Sequence, residues 1–329
     1  MKIKFFAIGL LGSIAALLTS CSSVNNTAQL EARNNLEQKN ISFTVATFIQ
    51  TAKNGNNAVL KDFLSAGMDI NAKQSDTSLT GAVGREKTNT VIFLLENGAN
   101  VNEPSDWESP LGIASYKGYF NIANILIKHG ANVNGLAPDG MTPLMNAVYT
   151  NKTKIVQLLL ENGASSNYIL PDTSEAPIIL AARNGNIEIV KLLLEYKCNP
   201  NNKDSGGLTA LDWAIINGNT DAAEELINSP KIQLITKDSE SSKPMILALQ
   251  NNNFKIAEAL IKKGISPNSP AYDKMPLIVW CAKNNNVAAV KFLVEHKANS
   301  GLRDSLGQDA LDYAEQNNNA QIIEILKKA

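Results

Sequence analysis

The chain has 329 residues, of which 44% are hydrophobic and only 6% aromatic, and its formal net charge is -1. An aromatic-poor core must consist mostly of Ala, Leu, Ile and Val, which favours closely packed small helices over a β-sandwich or barrel. A nucleic-acid partner is not expected, because the sequence shows no basic patch or stripe.

The first 20 residues are predicted to be a signal peptide. Lys2 and Lys4 supply a positive start, and an apolar run of 14 residues from Phe5 to Leu18 follows. A run of this length is typical of a signal-peptide core and is shorter than the roughly 20 residues that span a bilayer.

The next residues, Leu18-Thr19-Ser20-Cys21, resemble the lipobox of bacterial lipoproteins. The resemblance implies cleavage before Cys21 and acyl chains on that cysteine, which together anchor a protein stably where a single chain binds only marginally. Ser22 stands where an Asp often signals retention in the inner membrane, so the outer membrane is favoured, with the protein facing the periplasm or the cell surface. An ordinary signal peptide with a chance cysteine is the alternative.

Residues 21–43 are polar and are predicted to be the lipidated tether. A short helix around Ala28–Gln38 is compatible with this stretch, but little of it is expected to be buried. As a flexible chain of about 22 residues it would reach roughly 25 Å, enough to clear the lipid head groups. The repeat domain is expected to cover residues 44–329.

A motif of about 33 residues recurs through this domain. Its most regular part is a Thr-Pro-Leu-like triplet, and the central residues of six triplets lie 33, 34, 33, 34 and 66 residues apart. The six are Ser109-Pro110-Leu111, Thr142-Pro143-Leu144, Ala176-Pro177-Ile178, Thr209-Ala210-Leu211, Lys243-Pro244-Met245 and Asp309-Ala310-Leu311. Pro276-Leu277-Ile278 fills the longest gap, and Thr77-Ser78-Leu79 and Ala46-Thr47-Phe48 extend the series upstream, which predicts nine repeats.

Other positions keep the phase of the triplet. Three residues after its last member stands a small residue: Ala82, Ala114, Ala147, Ala181, Ala214, Ala248, Cys281 or Ala314. Seven residues after it stands Gly118, Gly185, Gly218, Asn151, Asn252 or Asn318, whereas the second repeat has Glu86. An apolar run follows, and several repeats close on Gly-Ala-x-x-Asn, as at residues 98–102.

This pattern resembles the ankyrin repeat, and the resemblance covers roughly residues 44–329. It implies an all-α ankyrin-repeat solenoid of about nine helix-turn-helix repeats with short β-hairpin fingers between them. It also implies a protein that binds other proteins and is not an enzyme.

The physical properties of the residues agree with this interpretation. Thr142 and Thr209 suit helix N-caps, and Pro143 suits the first helical position, where its missing N–H costs nothing. The small residue of each first helix lets neighbouring repeats approach, and the Gly or Asn after it tolerates the left-handed conformation that ends a helix. Asp139-Gly140 and Gly206-Gly207 are turn signals at the finger tips.

No motif for catalysis, a cofactor or a metal is apparent. His129 and His296 end second helices in repeats that lie far apart, so both are expected to be structural. Cys198 and Cys281 are expected on the order of 30 Å apart, which is too far for a disulfide, so each is predicted to be a small buried residue. A hydrolase that uses carboxylates in a concave groove formed by the repeats is the alternative from another functional class.

In ankyrin proteins, partners usually meet the finger tips and the exposed side of the first helices, which form a concave groove. The resemblance places Trp107 and Met141 near finger tips, and Tyr116 and Tyr149 on first helices with Arg183 beside them. Trp, Tyr and Arg dominate binding hot spots, and exposed apolar patches mark contact sites. We call these five residues the predicted cluster; the alternative for each is packing against its own repeat.

The sequence therefore predicts a monomeric, non-catalytic module that is lipid-anchored in the bacterial cell envelope and binds an unidentified protein. A surface-presented or secreted factor that binds host proteins is the alternative, because the groove would look the same in either case.

Overall fold

The structure, a computed structural model, describes residues 27–234 and 243–329. The predicted signal peptide, the lipobox residues Leu18, Thr19 and Ser20, and the acylated Cys21 lie outside the described residues. The chain divides between Pro143 and Leu144 into two compact units, each of which is described by itself.

The first unit consists of one N-terminal helix and three helix pairs. Helix α1 covers residues 27–38. The pairs are α2 (Val45–Asn54) with α3 (Asn57–Ser65), α4 (Ser78–Gly84) with α5 (Thr88–Glu96), and α6 (Pro110–Lys117) with α7 (Phe120–Lys128). The first helices contact one another in succession, α2 with α4 and α4 with α6, and the second helices do the same, α5 with α7.

The second unit repeats this arrangement, and Pro143 at its edge opens helix α8. The pairs are α8 (Pro143–Tyr149) with α9 (Thr153–Glu161), α10 (Pro177–Asn184) with α11 (Ile187–Glu195), α12 (Ala210–Ile216) with α13 (Thr220–Asn228), α14 (Lys243–Gln250) with α15 (Phe254–Lys262), α16 (Leu277–Lys283) with α17 (Val287–Glu295), and α18 (Ala310–Gln316) with α19 (Ala320–Lys327). The described residues thus hold nine helix pairs, the predicted number of repeats. Within the two described ranges, no helix has both the length and the apolar composition needed to cross a bilayer.

The predicted β-hairpin fingers are present only in rudimentary form. Between the helix pairs, isolated antiparallel bridges join Lys73 to Thr77, Lys203 to Thr209 and Pro270 to Pro276. No extended strand forms in the part of the chain that the structure describes. The regular structure is therefore all-α, as predicted.

The small residue of each first helix lies in the core, as predicted. Ala82, Ala114, Ala147, Ala181, Ala214, Ala248, Cys281 and Ala314 are all fully buried. First helices contact each other from pair to pair, as α10 does with α12. Because an alanine leaves room for the backbone of the next helix, this position lets consecutive pairs approach closely.

Helix ends follow the predicted phase as well. The residue that closes each first helix has a left-handed backbone, with φ between 54° and 87° at Gly118, Gly185, Gly218, Asn151, Asn252 and Asn318. Glu86 adopts φ 57° at the same position. A glutamate there costs about 1–2 kcal/mol relative to glycine, so the surrounding repeat imposes this turn regardless of the side chain.

The closing asparagine of Gly-Ala-x-x-Asn links neighbouring repeats. In the first unit, Asn102 Oδ1 accepts the backbone N–H of Asn132 at 2.8 Å, and its Nδ2 donates to the Gly130 carbonyl at 3.2 Å. In the second unit, Asn201 does the same for Gln233 and Lys231, at 2.7 and 2.8 Å. This asparagine recurs with the repeat, but the sequence alone does not reveal its role.

The N-terminal helix α1 corresponds to the short helix expected around Ala28–Gln38, and two of its residues, Ala32 and Leu36, are buried. Lys39 forms an ion pair with Asp62 of α3 at 2.6 Å, and the Arg33 guanidinium lies 4.7 Å from the centre of the Phe43 ring. Residues 27–43 therefore pack against the first repeat, because that repeat has no preceding neighbour to cover its open side. The predicted domain boundaries stay predictions.

The connection after the sixth repeat is irregular. Helix α13 ends at Asn228, and the following Ser229 has φ -59° and ψ 131°, an extended conformation where most second helices end in a tight turn. Residues 235–242 beyond it lie outside the described residues.

Candidate protein-binding site

Trp107 lies at the tip of the finger that precedes α6, and 76% of its surface is exposed. Three hydrogen bonds order the backbone of this finger. The Ser105 hydroxyl donates to the Glu108 carbonyl at 2.9 Å and accepts the Trp107 N–H at 3.2 Å, and the Asp106 N–H donates to the Ser75 carbonyl at 2.8 Å. A large amphipathic ring is thus presented to solvent on a short, ordered loop.

Tyr116 and Met141 are the other members of the predicted cluster in the first unit. Tyr116 stands in the last turn of α6 and is 46% exposed. Met141 is half-buried and lies in a turn. Its N–H donates to Asp139 Oδ1 and its carbonyl accepts the N–H of Ala137, both at 2.9 Å.

The second unit holds Tyr149 and Arg183. Tyr149 ends helix α8 and is 54% exposed. Arg183, on α10, is half-buried: its guanidinium forms an ion pair with Glu175 and lies 5.5 Å from the centre of the Trp213 ring. Arg183 is therefore held by its own unit, whereas Tyr149 extends into solvent.

The predicted cluster is thus divided between the two units, with Trp107, Tyr116 and Met141 in the first and Tyr149 and Arg183 in the second. Three of its five members, the aromatic ones, are exposed. An isolated exposed aromatic ring is ordinary, and Trp and Tyr are also among the residues enriched in binding hot spots.

His129 and His296 cap the C-terminal ends of helices, and Cys198 and Cys281 are buried. His129 Nδ1 lies 2.9 Å from the Ile125 carbonyl, and His296 Nδ1 lies 2.8 Å from that of Phe292, so each closes the last turn of a helix. Cys198 and Cys281 are free thiols, and burial raises the pKa of each to about 12. Both are the small buried residues predicted. Among the described residues, no group of three potential metal ligands converges.

A buried carboxylate in the second unit was not predicted from the sequence. Thr209 and Asp212 cap α12 reciprocally: Asp212 Oδ2 accepts the Thr209 N–H at 3.0 Å, and the Asp212 N–H donates to the Thr209 hydroxyl at 3.2 Å. The second oxygen, Oδ1, is buried and has no hydrogen-bond partner among the described residues. Asp212, Lys203 and Lys243 are among the residues that line a cavity of about 200 Å³.

Burial raises the pKa of Asp212, an effect that the Thr209 hydrogen bond and Lys243 only partly oppose. Because the folded-state pKa exceeds the unfolded value of about 3.9, the resulting stabilisation is complete below that pH and is lost as pH rises through the folded pKa.

Asp212→Asn should remove this dependence of stability on pH. We expect the free energy of unfolding of the wild type, minus that of the variant, to fall in urea titrations as the pH rises above about 4. Asp172→Asn, at an exposed aspartate of the same unit, is the control; an identical pH profile for both variants would contradict the prediction.

The repeated geometry has a counterpart among known proteins. A family model described as ankyrin repeats, in three copies, matches residues 48–137, 103–170, 133–204, 178–271 and 245–329. The chain belongs to the ankyrin repeat family. Its members are typically non-catalytic, and their repeats indicate a module for protein–protein interaction.

Individual relatives share only part of their length with this ankyrin repeat protein. It is 32% identical to Rabankyrin-5 of Mus musculus over 130 residues, 39% of this chain and 11% of that protein. It is 30% identical to an ankyrin repeat-containing protein of Treponema pallidum (strain Nichols) over 142 residues, 43% of this chain and 47% of that one. The match to the ankyrin repeat and KH domain-containing protein mask-1 of Caenorhabditis elegans covers 222 residues at 27% identity, 66% of this chain and 8% of the other. The chain spans less than half the length of these curated relatives.

Proposed function

We propose that this ankyrin repeat protein is a non-catalytic binding module that a lipid on Cys21 holds at a bacterial membrane, where its repeats bind a protein partner. One observation carries the binding half of the proposal: Trp107, Tyr116 and Tyr149 are exposed on the finger and first helices that partners of ankyrin proteins contact. Large rings on fixed backbone lose little conformational entropy when a partner covers them.

The anchor half of the proposal rests on the sequence around Cys21. The lipobox-like Leu18-Thr19-Ser20-Cys21 follows a short apolar run, and a lipidated cysteine with several acyl chains gives stable membrane attachment. The outer membrane remains the favoured location, since Ser22 follows the cysteine.

Cys21→Ser tests the anchor in the full chain, with a photoreactive residue in place of Asp106, the exposed neighbour of Trp107, to report on binding. We expect the parent chain in the membrane fraction, labelled by an alkyne fatty acid and crosslinked through position 106 to a protein. The Cys21→Ser chain should lose the label and move to the soluble fraction, because the thioether is the attachment point.

The matched control is Cys198→Ala, which removes a buried thiol. This variant should keep both the label and the membrane location. Labelling that survives Cys21→Ser would disprove the anchor, and the absence of any crosslinked protein would disprove the binding role. Protease treatment of intact cells separates the two orientations, because only a surface-presented chain is digested.

A further inference from the structure

A row of basic side chains follows the first helices of the first unit. Lys53, Arg85 and Lys117 recur every 32 residues, one on or directly after each of α2, α4 and α6. These helices contact each other in succession, which places the three cations on neighbouring repeats. The members of the row are distant in the sequence, and the repeat brings them together.

The row borders an open cavity of about 570 Å³, lined by Gln50, Lys53, Asn54, Arg85 and Lys87. No carboxylate of the described residues belongs to this lining. Lys53 is paired with Asp76 at 2.7 Å. Arg85, Lys87 and Lys117 form no ion pair within the described part of the chain, so the cavity carries uncompensated positive charge.

The aliphatic stems of both lysines of this cavity lie against glycines of the neighbouring repeat. Lys53 Cγ lies 3.0 Å from the position that a Cβ would occupy on Gly81, and Lys87 Cδ lies 3.1 Å from the corresponding position on Gly55. A side chain at either glycine would therefore push the aliphatic stem of a lysine away. Because the stems lie across neighbouring backbone, part of the entropy cost of fixing the charged ends is met before any ligand binds.

The fold does not require cations at these positions. In the second unit, the residues in the same phase as Lys117 are Thr150, Asn184, Asn217, Asn251, Asn284 and Asn317. Several of these asparagines bond to the repeat before them: Asn217 Nδ2 donates to the Arg183 carbonyl at 2.9 Å, and Asn317 Nδ2 to the Lys283 carbonyl at 3.2 Å. In the first unit the same position holds Asn54, Arg85 and Lys117, so it is basic in two of three repeats, and in the other repeat Lys53 stands one residue before it.

We infer that the basic row binds an extended acidic segment of the partner protein, an inference that rests on the proposed binding function. Neighbouring helices lie about 8–10 Å apart, and in an extended polyproline II chain every third residue returns to the same face about 9 Å further on. A segment with a carboxylate at every third residue therefore matches one cation per repeat. A nucleic acid fits less well, because the row is short and the whole chain has a net charge of -1.

The probe is a fluorescein-labelled peptide with Glu at every third residue in a Gly/Ser background, titrated with the full chain by fluorescence anisotropy. The test variant is Arg85→Asn with Lys117→Asn, which introduces the residue that the second unit carries in this phase. We expect this variant to bind about fivefold more weakly, because exposed ion pairs each contribute modestly. Binding to the wild type should also weaken in 0.5 M NaCl, where the Debye length is below about 5 Å.

The control variant, Lys61→Gln with Lys128→Gln, removes the same charge from α3 and α7 of the same unit. It should bind the peptide as the wild type does; an equal loss in both variants would overturn the inference in favour of non-specific attraction. The inference would also be overturned if the peptide did not bind. The same holds if vesicles of anionic lipid, or a single-stranded oligonucleotide, bound the wild type more tightly than the peptide does. If the peptide fails while a protein is still crosslinked through position 106, the acidic segment is refuted and the binding function stands.

Discussion

Replacing Leu36 by alanine should lower the free energy of unfolding of the first unit by about 2–4 kcal/mol. Leu36 is fully buried although most residues around it in the sequence are polar. Its truncation removes three carbon atoms from a packed site and leaves a cavity, since the ion pair of Lys39 with Asp62 keeps the end of α1 in place. Urea denaturation followed by circular dichroism measures the loss.

Leu30→Ala is the matched control, on the same helix and 63% exposed. It should change the free energy of unfolding by no more than about 0.5 kcal/mol. Equal effects of the two substitutions would show that α1 does not pack in solution. Residues 27–43 would then be the free tether that the sequence suggested.

The sequence predicted the repeat framework because one physical requirement recurs in every copy. Close approach of first helices selects Ala at positions such as Ala181, and reversal of the chain selects Gly or Asn at positions such as Gly185. Both requirements are local to one repeat, so a period near 33 residues reveals them. The packing of α1 occurs only once. Ala32 and Leu36 are four residues apart in a polar stretch, too few apolar positions to form a recognisable stripe.

The sequence predicted where the residues of the candidate site lie better than it predicted which side chains surround them. Phase within the repeat placed Trp107 on a finger and Tyr149 on a first helix, and the structure has both there and exposed. Phase does not show which side chains find a partner nearby. Arg183 is paired with Glu175, eight residues earlier, and Asp212 is buried with an unpartnered oxygen. Such pairings depend on the course of each finger, which differs from repeat to repeat.

The double substitution Trp107→Ala with Tyr149→Ala should abolish capture of the protein partner. Each exposed ring, when covered by a partner, typically accounts for about 2 kcal/mol or more, so losing both weakens binding roughly a thousandfold. The free energy of unfolding should change by no more than about 1–2 kcal/mol, because neither ring is part of the core. Formaldehyde crosslinking in envelopes and urea denaturation measure the two quantities on the same preparations.

Leu306→Ala with Tyr272→Ala is the control, at residues 75% and 50% exposed in other repeats, a degree of exposure similar to that of the substituted pair. Capture that survives in this control and disappears in the test variant would assign the partner surface to the repeats of Trp107 and Tyr149. Since these two residues lie in different units, the single variants are informative as well. A loss confined to Trp107→Ala would restrict the contact to the first unit, which also carries the basic row, whereas losses in both would require the partner to engage both units. Unfolding of the double variant would instead identify the rings as structural and contradict the proposed binding surface.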